Sequence, residues 1–256
     1  MKYEVPIFSL HNVSVSIEQR VILNHISFDI YSGDFVIIVG GNGAGKSTLF
    51  DVMSGKRAIH DDGDILYKGR SIKDQSEVSR ACYVTRIFQN THANCIGSLS
   101  LVENIALSKM RAQEVGWSYA VTEEIQKETA IFLDDLGMSP SLMEVPMFAL
   151  SGGQRQLISF MMSLFLSPEI ILLDEPTAAL DPQAATKLLV YAKKYIAEKN
   201  LTAMLITHDP YIAIHLGNRL FVLESGNIKN KFDEVQKRAI TEPSLLLGQI
   251  DYDLLV

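Results

Sequence analysis

Phe35-Val36-Ile37-Ile38-Val39-Gly40-Gly41-Asn42-Gly43-Ala44-Gly45-Lys46-Ser47 is the stretch on which the fold turns. Its apolar half is unbroken, which suits a strand covered on both faces, as in a parallel sheet. The second half, Gly40 to Ser47, fits the phosphate-loop pattern of Gly, four residues, then Gly-Lys-Ser/Thr. Only glycine lets successive backbone N–H groups converge on one anion at the start of a helix. Lys46 then reaches the outer phosphates, the Ser47 hydroxyl suits Mg²⁺, and Thr48 can add a phosphate contact. The bare pattern arises by chance in roughly 1% of chains this long, and its position after a buried strand lowers that again.

Two further apolar runs, Ile170 to Leu173 and Ala203 to Thr207, lead into helix starts of the same design. Asp181-Pro182 and Asp209-Pro210 each put an acceptor at the N-cap and proline at the first helical position. Upstream, Val13 to Ile17 and Ile26 to Ile30 alternate apolar and polar, the mark of half-buried antiparallel strands. Arg219 to Leu223 and Ile228 to Lys231, split by Glu224-Ser225-Gly226-Asn227, read as a hairpin. From about Asn90 to Ser159 helical patterns replace the strands: Ser100-Leu101-Val102-Glu103 has capping-box form, and Thr122-Glu123-Glu124 opens a segment reaching Leu136. The expected class is α/β: a phosphate-loop NTPase core with a mainly parallel sheet, an N-terminal antiparallel β subdomain and an inserted helical subdomain. Residues 1–256 are read as one domain, with 1–89 and 160–256 as core and 90–159 as the helical part.

A hydrophobic fraction of 47% and a charged fraction of 21% are ordinary for a globular protein. The net charge of -7 argues against a nucleic-acid partner, because a phosphate backbone needs clustered Lys and Arg. Leu157 to Leu166, the most apolar run, is about half the roughly 20 residues a membrane helix needs. Met1 to Pro6 is mixed and polar, unlike an export leader. Cys82 and Cys95 have neither metal-ligand nor disulfide-framework spacing, which suits a reducing compartment.

Asp174 closes the Ile170 run and Glu175 follows it. A carboxylate at the C-terminal edge of a parallel strand beside a phosphate loop can hold Mg²⁺ through water, and its neighbour can polarise an attacking water. The same two acids could also merely cap Pro176-Thr177. Leu150-Ser151-Gly152-Gly153-Gln154 narrows the reading furthest. Ser-x-x-Gln is itself a capping box, yet two consecutive glycines are poor first-turn residues unless backbone must approach a ligand closely.

That five-residue string resembles the signature segment of the ATP-binding cassette (ABC) family, and the resemblance runs from about Leu10 to Lys231 with the motifs in the family's order. It implies that Ser151, Gly152, Gly153 and Gln154 bind the γ-phosphate of ATP held by another subunit. It further implies that Gln89, in Ile87-Phe88-Gln89, touches Mg²⁺ and senses a transmembrane partner, although a strand-end amide would look the same. Asp181, in Ala179-Leu180-Asp181, resembles the residue that crosses a dimer interface, and it also serves as an N-cap. His208, in Ile206-Thr207-His208-Asp209, resembles the switch histidine at the γ-phosphate; a structural histidine is the alternative. Ile17 departs from the pattern, since it takes the place of the aromatic that stacks on adenine and cannot stack in that way. Weaker base selectivity is the expectation.

The implied protein is an ATPase on the cytoplasmic face of the inner membrane, peripheral to a transmembrane permease. It pairs with a second ATPase subunit, most simply a copy of itself, around two ATP. The phrasing of Gly41 to Gly45, Phe88 to Asn90, Ser151 to Gln156 and Ala178 to Asp181 is most similar to ATPases of bacterial importers that use a separate solute-binding protein. The implied cargo is a small solute, an amino acid being one class. Two other readings stay open: an ABC ATPase acting on a soluble assembly such as an iron-sulfur scaffold, and a low-turnover nucleotide-binding regulatory module.

Overall fold

The computed structural model describes residues 5–87, 95–110, 121–165, 168–177, 180 and 182–240. Strands β1 (Phe8–Ile17) and β2 (Arg20–Ile30) form a hairpin longer than the alternating stretches alone suggest. Its tip pairs Ile17 with Arg20. Glu18 and Gln19 at that tip hold φ of 47° and 68°, the left-handed pair that a tight two-residue hairpin turn requires. β3 (Phe35–Val39) follows, then α1 (Lys46–Met53), β4 (Asp64–Tyr67), β5 (Arg70–Ser71), α2 (Glu77–Arg80) and β6 (Val84–Ile87). Next come α3 (Leu101–Met110), α4 (Glu123–Asp135) and α5 (Gly152–Phe165), and then β7 (Ile170–Asp174), α6 (Pro182–Glu198) and β8 (Thr202–Ile206). The chain continues with α7 (Pro210–His215), β9 (Arg219–Glu224), β10 (Asn227–Phe232) and α8 (Glu234–Arg238).

The described residues divide into two compact units, one drawn from 5–86, 169–175 and 195–240, the other from the described residues between 87 and 168 and between 176 and 194. In the first, β2-β1-β4-β5 make an antiparallel sheet, and the strand order β10-β9-β3-β8-β7-β6 makes a second sheet. β3 pairs in parallel with β8 and β9, β7 in parallel with β8, and β10 returns antiparallel at the edge. Every residue of β3, β7 and β8 is buried, which is why these segments read as unbroken apolar runs. One core joins the two sheets through α1: Leu49, Phe50, Val52 and Met53 pack among Leu10, Ile26, Ile38 and Leu172.

The second unit is helical where it is described. Leu101, Ile105 and Ala106 of α3, Phe132 and Leu133 of α4, and Ile158 and Met162 of α5 are buried. The Ser100 hydroxyl and the Glu103 carboxylate cap α3 reciprocally, and the Thr122 hydroxyl caps α4. Asn104, itself buried, donates to the Ile96, Leu99 and Ser100 carbonyls and accepts from the Ile96 N–H, fastening that turn to α3. Among the described residues no helix is long and apolar enough to cross a membrane.

Candidate functional site

The phosphate loop lies between the end of β3 and the first turn of α1, as the sequence pattern requires. Gly40 must be glycine, because a Cβ there would sit 2.2 Å from the Leu223 carbonyl oxygen. Lys46 is buried and its ammonium donates to the Gly40 and Gly41 carbonyls at 2.8 and 3.0 Å. Burial pushes that ammonium below its ordinary value, while Glu175 and Asp174 pull it back up. The lysine therefore answers electrostatically to both acids, which is the first sign that the motifs converge.

β7 brings Asp174 to the carboxyl edge of the sheet two strands from β3, with β8 between them. The turn after it puts Glu175 in the left-handed region, φ 47°, a conformation costly for a residue with a Cβ. Its N–H donates to the Ile206 carbonyl at 3.2 Å, while the Thr207 N–H donates to the Ile38 carbonyl at 3.1 Å. The ends of β3, β7 and β8 are thus locked in register. As a result His208 Nδ1 stands 3.5 Å from Glu175 Oε2, with the imidazole more exposed than the carboxylate. Asp209 caps α7 through the Tyr211 and Ile212 N–H groups, fixing the turn that carries His208.

Ser47 is exposed in the first turn of α1. Its hydroxyl and the Asp174 carboxylate are hard oxygen donors, the kind Mg²⁺ accepts when phosphate oxygens and water complete its shell. The residues present therefore fit that ion.

A cleft of about 360 Å³ opens beside the loop, walled by Arg20, Val21 and Ile22 of β2, by Gly41 to Ala44 and by Glu224 to Gly226. Ile17 is half-buried opposite Arg20 across the hairpin tip. Strands β2 and β9 both contribute to the cleft wall.

In the second unit the Ser151 hydroxyl accepts from the Gln154 N–H at 3.2 Å, and the Gln154 side chain accepts from the Ser151 N–H at 3.1 Å. This is a complete capping box at the start of α5. Ser151 and Gly152 are exposed there, so the helix start is capped and still open to solvent. Gln89 and Asp181 lie outside the described residues.

Sequence reading passed over Arg86 on β6. Its guanidinium pairs with Asp51 of α1 and with Asp174, the latter at 2.6 Å. A lone arginine in the middle of a short strand carries no motif, so only tertiary structure exposes this link.

The chain matches the ABC transporter family over residues 23–178. It is similar to a tyrosine transport ATP-binding protein of Clostridioides difficile, 31% identical over 230 residues, covering 90% of this chain and 91% of the relative. It is also similar to a xylose/arabinose import ATP-binding protein of Sulfolobus acidocaldarius, 31% identical over 234 residues, covering 90% of each. Among solved structures, a dimeric ATP-binding cassette in a post-hydrolysis state with ADP and phosphate superposes with a TM-score of 0.75, at 26% identity over 89% of this chain and 98% of that one. A component of a Clostridium perfringens ABC transporter complex superposes with a TM-score of 0.76, at 24% identity over 95% of this chain and 98% of that one.

Proposed function

The chain belongs to the ABC transporter family and is an ATP-binding, ATP-hydrolysing subunit of that kind, and from this premise we propose that it drives a transmembrane permease by closing and opening around ATP with a second copy of itself. The observation that carries the proposal is the convergence of Lys46, Asp174, Glu175 and His208 at the carboxyl ends of the parallel strands of one sheet. Phosphoryl transfer is largely positioning and charge neutralisation, and this edge supplies both.

In the proposed cycle the backbone of Gly41 to Ser47 cradles the phosphates, with Thr48 adding a contact, and Lys46 exchanges its loop carbonyls for phosphate oxygens. Glu175 accepts a proton from the attacking water, and His208, held beside it, faces the γ-phosphate. Ser47, Asp174 and Gln89 would hold Mg²⁺, which supplies charge neutralisation on the phosphate oxygens. The open start of α5, Ser151 to Gln154, donates its hydroxyl and amides to ATP on the opposite subunit, and Asp181 lies at that interface. Loss of the γ-phosphate removes the shared contacts and releases the pair.

The helical segment 90–159, with Gln89 at its edge, is the proposed docking region for the permease, and the ATPase would sit peripherally on the cytoplasmic face. Relatives named for tyrosine transport and for xylose/arabinose import support a small solute as cargo, and delivery by a separate binding protein is part of the proposal. An amino acid is the first class to test.

Glu175→Gln tests the core of this reading. Phosphate release should fall by roughly 100-fold or more, and light scattering should find a dimer in ATP and a monomer without it. A Glu175→Gln protein that turns over normally, or stays monomeric with ATP bound, defeats the proposal. Co-purification with an integral membrane protein tests the permease.

A further inference from the structure

Arg86 sits between two acids that come from different parts of the chain. Its side chain is 7% exposed, against 17% for Asp51 and 12% for Asp174. Of the guanidinium's two terminal nitrogens, Nη1 donates to Asp51 Oδ1 and Nη2 donates to Asp174 Oδ2 at 2.6 Å. The guanidinium carbon also lies 5.9 Å from the centre of the Phe50 ring. Asp51 and Phe50 are neighbours on α1, the helix whose first turn carries Lys46 and Ser47.

A planar guanidinium with both terminal nitrogens engaged fixes the orientation of whatever it holds, which a single ammonium cannot do. Here it grips one oxygen of Asp174. No hydrogen bond from the described residues reaches the other oxygen, Oδ1. Buried partners that orient a ligating carboxylate set how well it meets a metal.

We propose that Arg86 is a positioning residue for magnesium: by bridging Asp51 on α1 to Asp174 on β7, it aims the Oδ1 atom of Asp174 toward the ion that accompanies ATP. The inference rests on the assignment of Asp174 to magnesium made above. The bridge gears the strand that bears the acid to the helix that bears Lys46 and Ser47, so the phosphate site and the metal site move as one piece. Arg86 touches neither nucleotide nor metal; it acts through Asp174.

The test is calorimetric and needs no turnover. Binding of the non-hydrolysable analogue AMP-PNP is titrated in EDTA and at rising MgCl₂, and the MgCl₂ concentration giving half the gain in affinity is read for each variant. In Arg86→Met that midpoint should rise about tenfold. It should rise by less in Arg86→Lys and in Asp51→Asn, while affinity in EDTA changes less than about threefold in all of them. Should Arg86→Met fail to fold, Asp51→Asn carries the test, because it weakens the grip on α1 from an ion pair to a neutral hydrogen bond and leaves Asp174 paired.

A midpoint that stays put in the folded variants overturns the inference, as does an affinity in EDTA that falls as far as the affinity in MgCl₂; either outcome makes the bridge purely structural. Asp174→Asn separates this failure from failure of the premise. If the magnesium-dependent gain survives in that variant, the assignment of Asp174 falls and the inference falls with it. If the gain is lost there yet unmoved in the Arg86 and Asp51 variants, the inference alone is overturned.

Discussion

Lys46 carries a conflict that a substitution can expose. Its ammonium is buried against two loop carbonyls, and that burial disfavours the charge. Removing the charge by Lys46→Met should leave the melting temperature of the nucleotide-free protein unchanged or slightly raised, while the stabilisation seen on adding ATP disappears. The pH dependence has a definite sign. With the folded value below the ordinary 10.5, the unfolded chain binds the extra proton between the two values, so stability contributed by this residue rises with pH through that window. Thermal melts from pH 8 to 10.5 should show a smaller rise for Lys46→Met than for the wild type.

At the scale of single elements, two termini do more than end a helix or a strand. The capping box of α5 explains Ser151 and Gln154 fully as structure, so the functional reading of Ser151 needs a change that separates the two roles. Ser151→Ala should cost about 1 kcal/mol through the lost cap. Ser151→Asp keeps a capping acceptor, so its melting temperature should hold, yet it places a carboxylate where the opposite γ-phosphate is proposed to bind. Phosphate release should then fall more than about tenfold; a wild-type rate would reduce Ser151 to a cap. The β9–β10 turn is the second case. The Gly226 N–H donates to the Ala44 carbonyl at 3.0 Å, bracing the phosphate loop from outside. At φ 79°, a Cβ on Gly226 would lie 2.4 Å from the Ile22 carbonyl oxygen and 3.0 Å from its carbon, both backbone atoms of β2. Gly226→Ala should destabilise by about 2–3 kcal/mol and weaken nucleotide binding together, as melts with and without ATP would show.

At the scale of the whole molecule, long-range polar links tie the elements of the larger unit together. Arg80, 1% exposed, donates to the Val52 and Met53 carbonyls at the end of α1 and to the Ile72 and Lys73 carbonyls. Burial pushes its guanidinium below the usual value, with Tyr83 partly offsetting this. Arg80→Met takes a donor from four carbonyls, of which Val52 and Ile72 keep the Gly55 and Gln75 N–H groups, and should cost about 2–3 kcal/mol, roughly 5–10 °C in melting temperature, with Mg²⁺ dependence of binding intact. Such links mark the border of what sequence reveals. The strands β3, β7 and β8, the caps of α3, α4, α5 and α7, and the phosphate loop were legible because their signals are local: an apolar run, an acceptor before a first turn, a glycine where backbone meets an anion. The two roles of Glu175 and His208 were legible separately, but their approach to 3.5 Å was not. Arg86 was not legible at all, since its partners lie 35 and 88 residues away and neither separation leaves a periodic trace. The sequence by itself therefore determined which chemical groups stand at each strand end, because those depend on neighbours along the chain. Only the tertiary structure decided how the acids are aimed, because orientation comes from contacts between residues that meet after the sheet has assembled.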